Sequence, residues 1–328
     1  MNKVLITGAH GFVGTNLSKY LADNRNYQLL ALDIFKKTLS SYNREYTWKE
    51  IDKISFNTIN TVIHLAGKAH DTSNISNAKE YFEINVGLTI QVFDQFLKSN
   101  AKKFIYFSSV KAVADTVKNG ILTEEDFPNP QTPYGQSKLK AEKYLMSQFL
   151  PKGKSLFILR PAMIHGPGNK GNLNLLFNFI NKGIPYPFGA FSNQRSFTSI
   201  GNLNFVIQEF IDREIESGIY QVADTETLST NDVIELIGEA ICRNPKIWNI
   251  PAPLINSIAR MGNILSLQLN SENLKKLTEN YLVSNRKLVG ALGVELPIQA
   301  REGLKFTFSS LIVSHRMNPR TNQILKII

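Results

Sequence analysis

The 328-residue chain carries a single cysteine, Cys242. That excludes an internal disulfide and any cysteine-rich zinc site, and a lone thiol suits a reducing compartment. No stretch approaches the ~20 apolar residues of a membrane helix. Met1-Asn2-Lys3 leads into Val4-Leu5-Ile6-Thr7-Gly8, an apolar run too short for a signal peptide that opens into a glycine loop instead of a cleavage site. We therefore expect no membrane insertion and a soluble, cytoplasmic protein. Glycine (20) and proline (13) are too few for a collagen-like or low-complexity chain, and no internal repeat is visible. What is there is ordinary for a globular protein. With 43% hydrophobic and 20% charged residues the chain can bury a core. Its length corresponds to one large domain or two small ones.

Lysine and arginine outnumber the acids 37 to 27, a net charge of +10. Such a balance points to polyanionic partners: nucleic acid, anionic lipid or a phosphorylated small molecule. The basic residues are scattered, and their densest groups are pairs such as Lys36-Lys37, Lys102-Lys103 and Lys275-Lys276. No zinc finger, aromatic RNA-binding signature or basic helix accompanies them. A nucleic-acid partner is not expected.

The first half alternates short β-branched runs with segments of helical length, the βαβ pattern of a parallel sheet. Strands are expected at Val4–Thr7, Gln28–Asp33, Thr61–Leu65, Phe104–Ser108 and Ser155–Leu159, with helices at Phe12–Asp23 and Tyr81–Lys98. Thr132-Pro133 opens a further helix, threonine as cap and proline at the first helical position. In the second half Leu173–Lys182, Asn202–Arg213, Thr230–Ala240 and Pro253–Leu265 read as helices, and Gly218–Ala223 as a strand returning to the sheet. The stretch from about Ser309 shows no clear pattern.

The first strand runs into Gly8-Ala9-His10-Gly11-Phe12-Val13-Gly14. Glycines at this spacing let the backbone approach a pyrophosphate, and a helix starting near Gly11 aims free N–H groups at it. About 20 residues on, the second strand ends at Asp33, a carboxylate suited to the adenosine ribose hydroxyls and repulsive to a 2′-phosphate. NAD is thus favoured over NADP, although Lys36 and Lys37 lie close by. Gly67, after the Thr61–Ala66 strand, leaves room for a dinucleotide, with Asn85 on the following helix. His64, inside an apolar strand, reads as a packed core histidine.

Tyr134-Gly135-Gln136-Ser137-Lys138 sets a phenol and an ammonium four residues apart on one helix face. With 11 tyrosines and 37 lysines or arginines in 328 residues, about one such pair arises by chance, so position matters more than spacing. This pair opens a helix directly after the strand that ends Phe107-Ser108-Ser109-Val110-Lys111. A neighbouring ammonium lowers a phenol toward working pH, and Ser109 at the sheet's carboxyl edge is placed to hydrogen-bond a reacting oxygen.

Ser109, Tyr134 and Lys138, with the glycine loop and Asp33, resemble the extended short-chain dehydrogenase/reductase family over roughly residues 3 to 308. His64-Leu65-Ala66-Gly67, Asn85-Val86, Arg160-Pro161 and His165-Gly166-Pro167-Gly168 look like further landmarks in their usual order. The resemblance implies an α/β fold: a Rossmann-type doubly wound parallel sheet with a smaller mixed α/β substrate-binding region. It divides the chain into an NAD-binding part (1–168), a mainly nucleotide-sugar-binding part (169–308) and a tail (309–328). It implies that NAD is held by Gly8, His10, Gly11, Phe12, Val13, Gly14, Asp33, Leu65, Ala66, Gly67, Lys68, Asn85, Ser108, Tyr134, Lys138 and Pro161, and that the protein forms a helix-pair homodimer.

Gly166–Leu173, Gly183–Gly189 and Asn193–Phe197 are similar to the branch of UDP-glucose 4-epimerase relatives of bacterial polysaccharide pathways. By that resemblance Asn172 contacts the nucleotide diphosphate, Phe188 lies near the uracil and Arg195 pairs with diphosphate oxygens, with Ser109 and Lys111 also toward the substrate. Val113-Ala114 stand where the family often has a tyrosine-glycine pair. Counting from Phe104-Ile105 puts Ser109 at the catalytic position, whereas a shift of one residue puts Val110 there. No late diphosphate-binding arginine is evident, leaving Lys275 or Lys276 as stand-ins. The implied activity is 4-epimerisation of a UDP-hexose or UDP-N-acetylhexosamine through transient oxidation at C4. The alternatives are an NAD(P)H-dependent C4 reductase of a UDP-4-keto-6-deoxy-amino sugar and a catalytically idle NAD-binding regulator. No metal is implied.

Overall fold

The computed structural model describes residues 1–23, 26–37, 40–69, 77–117, 120–169, 171–264 and 271–317. Seven strands form one parallel sheet in the order β3-β2-β1-β4-β5-β6-β9. They are β1 (Asn2–Thr7), β2 (Tyr27–Asp33), β3 (Arg44–Thr47), β4 (Thr61–His64), β5 (Lys103–Phe107), β6 (Ser155–Pro161) and β9 (Gly218–Val222). Central parallel strands are covered on both faces, so they read as unbroken apolar runs. Their side chains still alternate between faces: Val4, Ile6, Ile63, Ile105 and Phe157 enter one core, Leu5, Val62, Phe104, Tyr106 and Ile158 the other.

The first core is closed by α1 (Phe12–Ala22), α6 (Ile200–Asp212) and α10 (Arg286–Leu292), through Leu17, Leu203, Phe210 and Leu288. The second is closed by α2 (Ala78–Phe82), α3 (Leu88–Lys98) and α4 (Pro133–Ser147), with Phe93 against Phe104 at 4.8 Å between ring centres. The helix expected over Tyr81–Lys98 is broken by a π-helical turn at Glu83–Gly87, between α2 and α3. Such a wide turn often marks a functional site, and this one carries Asn85.

A second sheet, β10-β8-β7, is mixed: β7 (Met163–His165) runs parallel to β8 (Arg195–Ser199), and β10 (Thr227–Leu228) antiparallel to it. Around it α5 (Asn172–Asn181), α7 (Thr230–Ala240), α8 (Ala252–Ile264), α9 (Ser271–Thr278) and α11 (Ala300–Met317) enclose Leu173, Phe177, Ile237, Leu304 and Phe308. Where the sequence shows no clear pattern from Ser309, helix α11 runs on to Met317, packing Leu311 inward in line with Leu304 and Phe308. Residues 318–328, Lys170 and the side chain of Lys276 lie outside what is described.

Candidate active site

The strand order reverses between β1 and β4, which opens a crevice at their carboxyl ends. The glycine loop fills the lower side of that crevice. Gly8 has φ +65°, and a Cβ there would sit 2.7 Å from the Ala66 nitrogen; one on Gly14 would sit 2.6 Å from the Ala9 carbonyl. Helix α1 starts at Phe12 after Gly11 with no side-chain cap, so its first N–H groups remain available to an anion. Phe12 lies against Gly166, and Asn16 donates to the Pro167 carbonyl at 3.1 Å.

Asp33 is buried at the end of β2. Its Oδ2 accepts the His10 backbone N–H and its Oδ1 the Ile34 N–H, both at 2.7 Å. The His10 ring stacks on Phe35 and pairs through Nε2 with Glu45 at 3.1 Å. Lys36, which sequence leaves as a partner for a 2′-phosphate, instead pairs with Glu50 at 2.7 Å, holding that carboxyl down to about 2. A loop that admits no Cβ at Gly8 or Gly14, an uncapped helix start and a strand-end carboxylate together fit a dinucleotide such as NAD.

Across the crevice, Leu65 and Ala66 follow β4, the Ala66 N–H donating to the Thr7 hydroxyl. A Cβ on Gly67 would meet Asn85 Oδ1 at 2.8 Å and Lys138 Nζ at 3.3 Å. The Asn85 amide is occupied within the protein: it accepts the Lys68 N–H at 2.6 Å and donates to the Lys68 carbonyl and to Ser137 Oγ. Lys68 Nζ pairs with Glu80 and lies over the Tyr81 ring.

Helix α4 is capped by Thr132, with Pro133 at its first turn. It packs so closely on the turn after β5 that a Cβ on Gly135 would strike the Lys111 carbonyl. This brings Ser109 to Tyr134. The Ser109 hydroxyl hydrogen-bonds the phenol and lowers its pKa, while burial, the largest influence, and Tyr81 raise it above the usual tyrosine value. Tyr81 meets Tyr134 edge to face at 6.1 Å. Lys138 Nζ donates to the Phe107 carbonyl at 2.7 Å, at the end of β5. Burial pushes this ammonium down to about 8, against the pull of Glu142. The Ser108 hydroxyl is buried and donates to Glu142, and Pro161 is buried at the end of β6.

Toward the second sheet, Arg195 opens β8 with its backbone bridged to Tyr281. Burial lowers its pKa, while Glu279, Tyr281 and Tyr186 raise it. Lys111 Nζ sits 4.2 Å over the Tyr281 ring and donates to the Asp115 carbonyl at 2.6 Å. Lys275 approaches Glu279 at 3.9 Å. Asn172 is exposed at the start of α5. Phe188 is buried edge to face with Tyr186 at 5.2 Å.

Sequence reasoning did not single out Tyr81, Glu142, Glu279 or Tyr281. For Glu142 a signal existed: it continues the four-residue step from Tyr134 through Lys138, a polar residue on the inward face of a helix.

Residues 4–223 match the NAD dependent epimerase/dehydratase family. The chain is 30% identical over 324 residues to the UDP-glucose 4-epimerase of Vibrio cholerae, covering 94% of this chain and 95% of that protein. It is 28% identical to dTDP-4-dehydro-6-deoxyglucose reductase of Escherichia coli, covering 72% of this chain and 81% of the relative. Among solved structures, MoeE5 in complex with UDP-glucuronic acid and NAD superposes with a TM-score of 0.74 at 22% identity, over 95% of this chain and all (100%) of that one. Among the described residues no helix is long and apolar enough to cross a membrane.

Proposed function

The chain belongs to the NAD dependent epimerase/dehydratase family, and on that premise we propose that it is a cytoplasmic, NAD-dependent nucleotide-sugar 4-epimerase. Its substrate is a UDP-hexose or UDP-N-acetylhexosamine. The observation that carries this reading is the meeting of the Ser109 hydroxyl with the Tyr134 phenol on the helix whose Lys138 ammonium lies beside Gly67. Similarity to a UDP-glucose 4-epimerase along nearly the full length supports the substrate class.

Residues 1–168 then hold the cofactor and 169–308 mainly the nucleotide sugar. Bound NAD supplies an acceptor and donor for the C4 hydride. Tyr134, as phenolate, takes the proton from the C4 hydroxyl and later returns it. Ser109 orients that oxygen and stabilises charge on the phenolate. Lys138 keeps a positive charge beside the pair and offers a donor to the cofactor ribose. Arg195, with Lys111, meets the diphosphate, for which a guanidinium is well shaped. Asn172 contacts the diphosphate from the start of α5, and Phe188 walls the base.

The second reading, a one-way C4 reductase, is favoured by the similarity to dTDP-4-dehydro-6-deoxyglucose reductase. One experiment separates the two. Purified protein is incubated with NAD and a panel of UDP-sugars, including 4-keto forms, and product stereochemistry is read by NMR. C4 epimers without net cofactor turnover support the epimerase. Stoichiometric consumption of NAD(P)H with a 4-keto sugar supports the reductase. No turnover of any sugar would sink both and leave an idle NAD-binding regulator.

A further inference from the structure

Helix α4 carries Tyr134, Lys138 and Glu142 at successive four-residue steps, so the three side chains share one face. Glu142 is wholly buried and forms a two-pronged ion pair with Arg160 of β6: Nε donates to Oε1 at 3.0 Å and Nη2 to Oε2 at 2.6 Å. The Ser108 hydroxyl also donates to Oε1. Arg160 is 2% exposed, and its Nη1 makes no hydrogen bond among the described residues. A buried ion pair is by itself a poor stabilising device, because the cost of desolvating two charges offsets their attraction. Apolar side chains of similar volume commonly serve stability as well or better. The pair therefore calls for a role besides holding α4 to the sheet.

We propose that Glu142 is a positioning residue whose carboxylate keeps the Lys138 ammonium charged beside Tyr134. The proposal rests on the reading of Tyr134 and Lys138 given above. Lys138 is 5% exposed, so little water reaches its charge. Its own helix supplies Tyr134. From β5 the Tyr106 ring lies 5.1 Å from Nζ, and the Phe107 carbonyl accepts its N–H. From β4 comes His64, held neutral, and Asn85 adds a neutral amide across Gly67. Arg160 stands behind Glu142, on β6. Glu142, one helical turn on, opposes the burial that has already brought Lys138 to about 8. Without it, the ammonium would lose its proton within the working range and the phenolate its counter-charge.

The test follows Lys138 itself by NMR in protein carrying 13C-labelled lysine, its signal assigned with Lys138→Arg. Two variants are compared with the parent: Glu142→Gln and the double variant Glu142→Met/Arg160→Met. The second removes the whole pair and should fold even if the first does not. The Lys138 midpoint, near 8 in the parent, is expected to fall by about one pH unit or more in Glu142→Gln, a roughly tenfold loss of proton affinity, and by a smaller amount in the double variant, which removes the Arg160 charge as well. Glu142→Asp, which keeps the charge, should restore most of it. A midpoint unchanged in a folded variant, or equal in Gln and Asp variants, overturns the proposal and leaves the pair a purely structural tie. The readout needs no substrate, so a wrong sugar assignment does not disturb it.

Discussion

Asp33 Oδ2 accepts the backbone N–H of His10 at 2.7 Å. One carboxylate therefore closes the glycine loop onto β2, and we propose that it also meets the adenosine ribose. Replacing it with Asn keeps the shape and removes the charge. Charged hydrogen bonds of this kind contribute about 1.5–3 kcal/mol each, so Asp33→Asn should weaken NAD binding by about tenfold to 100-fold. It should also narrow the preference for NAD over NADP. Calorimetric titration with both cofactors measures this, and an unchanged preference would argue against the ribose contact.

Tyr134→Phe removes the phenol that the Ser109 hydroxyl meets. We expect kcat to fall by about 10²–10⁴-fold with NAD affinity nearly intact. Ser109→Ala acts differently. It removes the hydrogen bond that lowers the phenol pKa, so the phenolate forms only at higher pH. The rising limb of its pH–rate profile should move to alkaline pH, and recovery of activity at high pH should distinguish it from Tyr134→Phe.

The contrast between what sequence reveals and what it hides is physical. β1, β4, β5 and β6 are legible because strands buried on both faces are mostly apolar on both, and α4 because Thr132-Pro133 announces its start. β3 (Arg-Glu-Tyr-Thr) and β10 (two residues) are short and polar at the margins, so no period emerges from them. The π turn around Asn85 is invisible because a helix with one wide turn keeps nearly the same apolar pattern. At the candidate site, Tyr134 and Lys138 are local in sequence and readable. Glu279 is far from Lys111 and Arg195 in the chain, and they come together only in the fold, where Tyr281 bridges to Arg195 and its ring lies under Lys111.

Glu279 gives a prediction about the substrate side. Burial raises its carboxyl, while Lys111, Lys275 and Arg195 pull it down. This carboxylate offsets the charge of the cations that we propose meet a diphosphate. Glu279→Gln should therefore bind UDP about 1.5-fold to fivefold more tightly, the range of a partly exposed ion pair at about 0.2–1 kcal/mol. The sign with pH follows: because protonation of Glu279 frees the cations, parent affinity rises as pH falls through the raised carboxyl pKa. Calorimetry at pH 5 and 7.5 should find that rise in the parent and a flatter response in the variant. Weaker UDP binding by Glu279→Gln would mean that the carboxylate contacts the ligand directly.

His64 ties the crevice floor to pH. Its Nδ1 lies 2.7 Å from the Thr7 hydroxyl and its Nε2 3.0 Å from that of Thr89. Thr89 donates its own proton to the Asn85 carbonyl at 2.6 Å, so it accepts from Nε2–H, and Thr7 is left to donate to Nδ1. A second ring proton would face that donor. Burial, aided by the Lys138 charge, holds the folded-state pKa at about 3, below the ordinary 6.5. The unfolded chain takes up a proton below 6.5 and the folded chain does not. Stability is thus complete above 6.5 and drains away as pH falls toward 3, by about 1.4 kcal/mol per pH unit. At pH 5 the loss from this one ring is about 2 kcal/mol. His64→Gln should be less stable at pH 7.5 yet lose less than the parent between pH 7.5 and 5. Urea unfolding at the two values measures it, and equal losses in parent and variant would mean that the ring is protonated in the folded protein.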